Sequence, residues 1–136
     1  MAHQAKLKIE NIDREYNVLE CEYEFLQPIK ENGQPAGRPS GGIVHLVLVS
    51  PDNNDMNLHD WMQSATEHKD GKIVFSVVDM ENLSTKTLHF NHAYCIRLYE
   101  YFNAQNNGQM FTKITISAAE ITFGDNESVV FKNDQK

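Results

Sequence analysis

The side chains of this 136-residue chain that could do chemistry are six histidines, two cysteines and a run of alternating glutamates. His89 and His92 stand three apart at a strand end, and His45 lies in an apolar run. No Cys or carboxylate accompanies them at ligand spacing, and zinc needs three or four convergent ligands. Asp52-Asn53-Asn54-Asp55 opens like a calcium loop. It lacks the turn glycine and the closing glutamate, so it reads as a turn. Gly37-Arg38-Pro39-Ser40-Gly41-Gly42 is glycine-rich but lacks the Gly-Lys-Ser/Thr end of a phosphate loop. Ser40 also sits one place off the position of a nucleophile elbow. Glu20, Glu22 and Glu24 share one face of a strand and imitate paired carboxylates. Nothing around them predicts a cleft, so they read as a solvated, pore-lining or interface face. Cys21 and Cys95 lie outside any CxxC motif. Cys21 falls on the apolar side of its strand and reads as a core thiol. These residues predict no catalytic group, no metal and no cofactor. They point to a binding or structural module.

The elements that position these residues are mainly strands. From Asn17 to Gln27, Leu19, Cys21, Tyr23 and Phe25 alternate with Glu20, Glu22, Glu24 and Leu26, which predicts a half-buried strand. Lys6–Ile9 alternates weakly before a turn at Asn11–Arg14, so the first two strands read as a hairpin. Pro28–Gly42 holds three of the four prolines and four of the seven glycines. It can be neither a helix nor a central strand. A loop this long is expected to be functional or loose, and here it reads as a candidate docking arm. Ile43–Val49 is apolar on both faces and demands cover on both sides, from a helix or from another subunit.

Asn57–Lys69 carries Leu58, Trp61, Met62 and Ala65 at helical spacing. Asn57 reads as its N-cap and Gly71 as its stop. Strands follow at Lys72–Met80, Thr85–Asn91 and Ala93–Phe102, with Asn82–Ser84 as a connection. Tyr94, Ile96, Leu98 and Phe102 fall on one face of the last of these, and Cys95, Arg97, Tyr99 and Tyr101 on the other. Asn103–Gly108 reads as a turn. Met110–Ala118 alternates with Met110, Ile114 and Ile116 inward, and its phase slips near Ala119, which predicts a bulge or corner. After Gly124 the chain is polar apart from Val129-Val130-Phe131, and a loose end is expected. The fold class is mainly β: an antiparallel barrel or sandwich of seven to eight strands with one flanking helix.

Length and composition set the outer bounds. At roughly 100–200 residues per domain the chain is one domain. Hydrophobic residues are 40% and charged residues 23%, a globular balance. The formal net charge of -7 argues against a nucleic-acid partner and against an anionic membrane. No apolar run approaches the ~18 residues of a membrane span, and no secretory signal is visible at the N-terminus. Cytoplasmic synthesis is therefore expected.

Several spaced features resemble one family as a set. They are Tyr16-x-Val18-x-x-Cys21-x-Tyr23-x-Phe25-x-Gln27, then Gly-Gln-Pro-x-Gly-Arg-Pro-Ser-Gly-Gly from Gly33 to Gly42. Leu58-x-x-Trp61-Met62, Lys69-x-Gly71-x-Ile73-x-Phe75 and Leu88-x-Phe90-x-x-Ala93-Tyr94 follow. Ile114-x-Ile116-Ser117-Ala118 and Ile121-x-x-Gly124 complete the set. In order and spacing the chain resembles the Hcp-like tube proteins of the type VI secretion system, in their Bacteroidetes form, over about residues 5–124.

The resemblance implies a compact β-barrel of residues 1–124 with a docking arm at 28–42 and a polar tail at 125–136. It implies homo-hexameric rings that stack into an inner tube, with sheath, spike and baseplate proteins as further partners. Effectors would be carried in the lumen, and export would run through the machine itself, without a signal peptide. No nucleic-acid partner and no membrane insertion are implied. Candidate ring or stacking residues are Gly33, Pro35, Gly37, Arg38, Pro39, Ser40, Gly41 and Gly42. Ser40 departs from the family, where a basic residue is expected before the Gly-Gly pair. Glu20, Glu22 and Glu24 are candidates for a lumen or interface face. The rival readings are a tail-tube protein of a phage or other contractile particle, and a monomeric ligand-binding β-barrel.

Overall fold

The computed structural model describes residues 2–37, 41–51, 54–79, 82–105, 109–124 and 129–132. Its elements in chain order are β1 (Ala2–Ile9), β2 (Glu15–Tyr23), β3 (Ile43–Val49), α1 (Asn57–Gln63), β4 (Lys69–Asp79), β5 (Asn82–Phe102), β6 (Met110–Phe123) and β7 (Val129–Lys132). Every strand pairing is antiparallel. The order β3-β2-β1-β4-β5-β6 returns to β3 through a β3–β6 pairing, so six strands close a barrel. β7 adds to β6 at Glu120–Phe123, beyond the stretch that β3 occupies. The end of the chain is thus not uniformly loose. Val129–Lys132 finds a partner strand, and two β-branched residues at 129–130 favour that extended state.

Alternation fills the interior. Leu7, Val44, Leu46, Leu48, Ile73, Leu88, Phe90, Ile114, Ile116 and Ile121 are all fully buried. Each comes from the inward set of a period-two strand. A barrel of six strands has room for side chains and little else, so this is a packed core rather than a ligand cavity.

β5 and β6 are long because they serve two sheets. At one end β5 pairs with β4 from Asn82 to Ala93; at the other, Tyr94–Phe102 pairs with β6 alone. The expected connection at Asn82–Ser84 is instead part of β5, and the two strands expected at 85–91 and 93–102 are one. The turn between them is a corner at His92, whose φ is +52°. Its N–H donates to Asp70 Oδ1 at 2.8 Å, and Asp70 is the residue at which β4 bulges. The inward phase changes on both strands at this rung: Phe90 and Ala93 are buried on β5, Ala118 and Ile121 on β6. The slip expected near Ala119 is therefore one side of a shared corner.

A second slip lies at Ile96, where the β5–β6 register shifts. It exposes Ile96 and turns Cys95 inward, reversing the expected face of both residues. Leu19 is displaced in the same way by a bulge between Val18 and Glu20 and is half exposed. Met110, expected inward, is exposed at the start of β6.

The helix is shorter than its sequence pattern. α1 ends at Gln63, and Ser64 Oγ accepts the N–H groups of Thr66 and Glu67, which turns the chain out of the helix. Met56 is the N-cap residue, and the Asp55 carboxylate accepts the Asn57 N–H. Leu58 and Trp61 are buried in the core while Met62 is partly exposed. His68 and Lys69 lie beyond the helix, and Gly71 stops nothing. It sits within β4, where a Cβ would stand 2.4 Å from the Phe90 ring and 2.5 Å from the Lys8 carbonyl oxygen.

Candidate assembly surfaces

One wall of the barrel is a four-stranded sheet in the order β2–β3–β6–β5, and its outward face is covered by no helix or strand among the described residues. Register aligns its side chains into rungs. Glu22 stands opposite His45, His45 opposite Thr115, and Thr115 opposite Arg97. The next rung runs Glu20, Val47, Lys113, Tyr99, and then Val49, Phe111, Tyr101. Acid therefore occupies the β2 side and base the β6–β5 side. His45 Nδ1 lies 3.0 Å from Thr115 Oγ1, and Lys113 Nζ lies 5.7 Å from the Tyr99 ring centre.

Among the described residues, both margins of this wall lack a strand neighbour. β1 pairs with β2 only at Lys6–Lys8 and Glu15–Asn17, so Val18–Tyr23 has β3 on one side and no described strand on the other. Tyr94–Phe102 of β5 likewise has β6 on one side, with α1 packed against it rather than a strand. Glu20, Glu22 and Glu24 are exposed along the first margin and Arg97 along the second.

The arm leaves the wall at the Tyr23–Val44 end. It folds on itself: Lys30 N–H donates to Gln34 O at 2.8 Å and Ala36 N–H to Pro28 O at 2.7 Å, around an Ile29–Pro35 bridge. Gly33 closes the turn with φ +86°, a conformation that costs a residue with a Cβ about 1–2 kcal/mol. Residues 26–37 are all exposed, with Ile29 at 70%. The base is held by aromatic rings, with Phe25 lying 5.9 Å from Tyr23 and 6.0 Å from Phe123. Gly41 packs beneath Phe25, where a Cβ would come within 2.3 Å of the ring. Of the arm residues singled out in the sequence, Gly33, Pro35, Gly37 and Gly41 thus belong to one projecting hairpin and its base. Gly42 (φ +102°) leads into β3, and its carbonyl accepts the Ala118 N–H. Arg38, Pro39 and Ser40 lie outside the described residues.

Sequence reasoning placed Arg97, Tyr99 and Tyr101 on one face but missed that Lys113 joins them across the sheet. No local signal reports which strands become neighbours. The remaining reactive groups are inert or scattered. Burial pushes the Cys21 thiol up to about 11 and the Cys95 thiol to about 11, so neither is a ready nucleophile. His68 and His92 approach with Nδ1 atoms 3.1 Å apart. Among the described residues no group of three or more His, Cys, Asp or Glu is placed to hold a metal ion. No described helix is long and apolar enough to cross a membrane.

A closed antiparallel β-barrel with one short helix is the fold of the Hcp proteins of type VI secretion. Residues 1–133 match the family model of the hemolysin coregulated protein Hcp (TssD), and the chain belongs to that family. It is similar to Hcp1 from Flavobacterium johnsoniae at 25% identity, with TM-score 0.77 over 96% of this chain and 99% of that one. Another Hcp protein matches with TM-score 0.78 at 12% identity, covering 99% of this chain and all of the other. The secreted protein Hcp3 from Pseudomonas aeruginosa matches with TM-score 0.69 at 11% identity, covering 99% of each. No protein of curated function matches the sequence. The chain is a structural, secreted tube protein of the type VI system and not an enzyme.

Proposed function

We propose that this chain assembles edge to edge into a closed ring of six copies, and that stacked rings form the inner tube. The observation that carries the reading is the four-stranded wall with two margins that lack strand neighbours and bear opposite charge. A ring uses heterologous contacts, one patch meeting a different patch on the next copy. The acidic β2 margin and the Arg97-bearing β5 margin are such a pair. The bare outward face then becomes one wall of the ring, with Glu20, Glu22 and Glu24 at a seam or on the lumen. Effectors would ride in that lumen, and sheath, spike and baseplate proteins would meet the finished tube.

The arm serves assembly beyond the single barrel. Its residues 26–37 are all exposed, so the hairpin presents its surface to another copy. Pro28 and Pro35 reduce the entropy it loses on docking. Negative-stain microscopy of the purified protein checks the reading: six-membered rings are expected, and a strict monomer at high concentration refutes it. Deleting residues 28–42 should abolish rings or tubes; normal assemblies from that deletion would remove the arm from the account.

A further inference from the structure

His68 and His92 belong to neither the arm nor the charged margins. Their Nδ1 atoms lie 3.1 Å apart, with the rings inclined at 69° and their centres 4.6 Å apart. The rings therefore meet by their edges rather than their faces. His89, three residues before His92, stands instead opposite Lys72 and Thr122 within the ladder. Both members of the pair are held by their backbones. His92 occupies the corner of β5 with φ +52°, a left-handed conformation that glycine would adopt without strain. The Asp70 carboxylate fixes that corner by accepting the His92 N–H at 2.8 Å, and the Asp70 N–H in turn donates to Glu10 Oε1 at 2.9 Å. His68 is placed by Lys69, which enters β4 opposite Ala93, and by the Tyr94 ring, whose centre lies 5.9 Å from its own at 83°. Histidine accepts strain at this corner that glycine would not, and what it brings there is a ring beside His68.

We propose that His68 and His92 form a two-imidazole site for a divalent transition ion, with copper(II) bound most tightly. An imidazole nitrogen binds zinc at about 2.0–2.1 Å, so two on one ion, at bond angles of about 90–110°, lie about 2.9–3.4 Å apart. The 3.1 Å between the two Nδ1 atoms falls inside that span. As a hydrogen bond the same contact needs one ring to donate Nδ1–H and the other to accept. With both ring protons on Nε2, the two Nδ1 lone pairs face one point, and an ion takes the place of the proton between them. Both residues are exposed, so an ion can enter without opening the corner. The adjacent Lys69 is paired with Glu67 at 3.0 Å, which offsets its charge beside the site. Among the described residues no third His, Cys, Asp or Glu joins the pair. The remaining positions on the ion fall to water or to a side chain brought by another molecule, unlike a closed structural zinc site. Imidazole suits copper, nickel and zinc, and copper(II) heads the affinity order at a given site. The site lies within one copy and does not depend on ring closure.

The test adds copper(II) alone to the untagged protein and reads the electron spin-echo modulation of the bound ion, which counts its imidazole ligands. The wild type should show two imidazoles on one ion. His68→Gln and His92→Asn should each show one. Copper(II) should also bind either variant at least about tenfold more weakly, since losing even an outer-shell partner costs about 10–100-fold. Both residues are exposed and asparagine tolerates the left-handed corner, so both variants should fold. His3→Ala should keep the two-imidazole signal. A wild-type signal from a single imidazole, or two imidazoles that survive in His68→Gln, means an adventitious ion only and overturns the site. Loss of the signal in His3→Ala places the ion at the start of β1 and overturns it too. No bound copper(II) at all leaves the pair as an imidazole–imidazole hydrogen bond and overturns it equally.

Discussion

Reversing one charge on the β5 margin should open the ring. Arg97 is exposed at the edge of the wall and shares a rung with Thr115, His45 and Glu22. In a closed ring it faces the acidic column of the next copy. An exposed ion pair is worth ~0.2–1 kcal/mol. Arg97→Glu replaces that attraction with a repulsion of similar size, a change of ~0.4–2 kcal/mol per interface. At tenfold per ~1.4 kcal/mol, each contact weakens about 2- to 30-fold. A subunit leaving a closed ring breaks two contacts, so the loss from the ring is about 4- to 1,000-fold.

Mass photometry over a dilution series reads this directly. The Arg97→Glu protein should fall to monomers at a higher concentration than the wild type. Its barrel should unfold at the same denaturant midpoint, because Arg97 is outside the core. Added salt should loosen wild-type rings and tighten those of the variant, since screening weakens attraction and repulsion alike. Pairing the change with Glu22→Arg restores opposite charges across the seam and should recover rings. Rings of Arg97→Glu that persist to the wild-type dilution refute the reasoning. So does a double variant no better than the single one.

The remaining predictions concern the barrel that carries these margins. Gly71→Ala should lower the urea midpoint by the equivalent of ~1–3 kcal/mol, because the new Cβ meets the Lys8 carbonyl as well as the Phe90 ring and only one of those can swing away; an unchanged midpoint would mean β1 and β4 are not so closely paired there. Trp61→Ala should cost about 3–5 kcal/mol, since the indole is buried between α1 and the core; if the midpoint hardly moves, Trp61 is not a core anchor. Tyr16 is pushed up to about 12 by burial, then by the Asp55 charge and by its hydrogen bond to Asp55 at 3.1 Å. The folded state holds this proton more tightly than the unfolded chain, so its contribution is complete below pH 10 and is lost as pH rises toward 12. Absorbance titration at the tyrosinate band should show one of the five tyrosines lagging the others, and Asp55→Asn should bring it back toward the normal range.

How much was legible in the sequence follows from what each signal depends on. Alternation within a strand is local, and Ile114 and Ile116 of β6 are inward as read. The arm was legible for the same reason, since proline and glycine act on their own backbone. Errors came where another part of the chain decides. The helical stripe over Asn57–Lys69 is continuous, yet Ser64 ends the helix by capping the turn that follows, and Lys69 is drawn into β4 opposite Ala93. His92 gives no hint of a corner; its positive φ is held by Asp70, 22 residues earlier. The bulges at Leu19 and Ile96 flip faces that strict alternation assigns correctly up to the slip. Glu20, Glu22 and Glu24 were visible as a stripe, but the basic side of the wall needed β5 and β6 to be brought beside β3.

The charges on the two margins do more than attract. A strand edge without a neighbour invites pairing with any other edge, and charged side chains are a usual defence. On this wall the two edges are defended with opposite signs. Joining β2 to β2 of another copy would set Glu20, Glu22 and Glu24 against their own kind, and joining β5 to β5 would oppose Arg97 with Arg97. Joining β2 to β5 instead sets the glutamates against Arg97. That pairing is heterologous, keeps every copy in the same orientation, and so either closes into a ring or runs on as an open row. The net charge of -7 per chain then limits growth, because it accumulates with each copy added and must be outweighed at each seam by the local pairing of unlike margins.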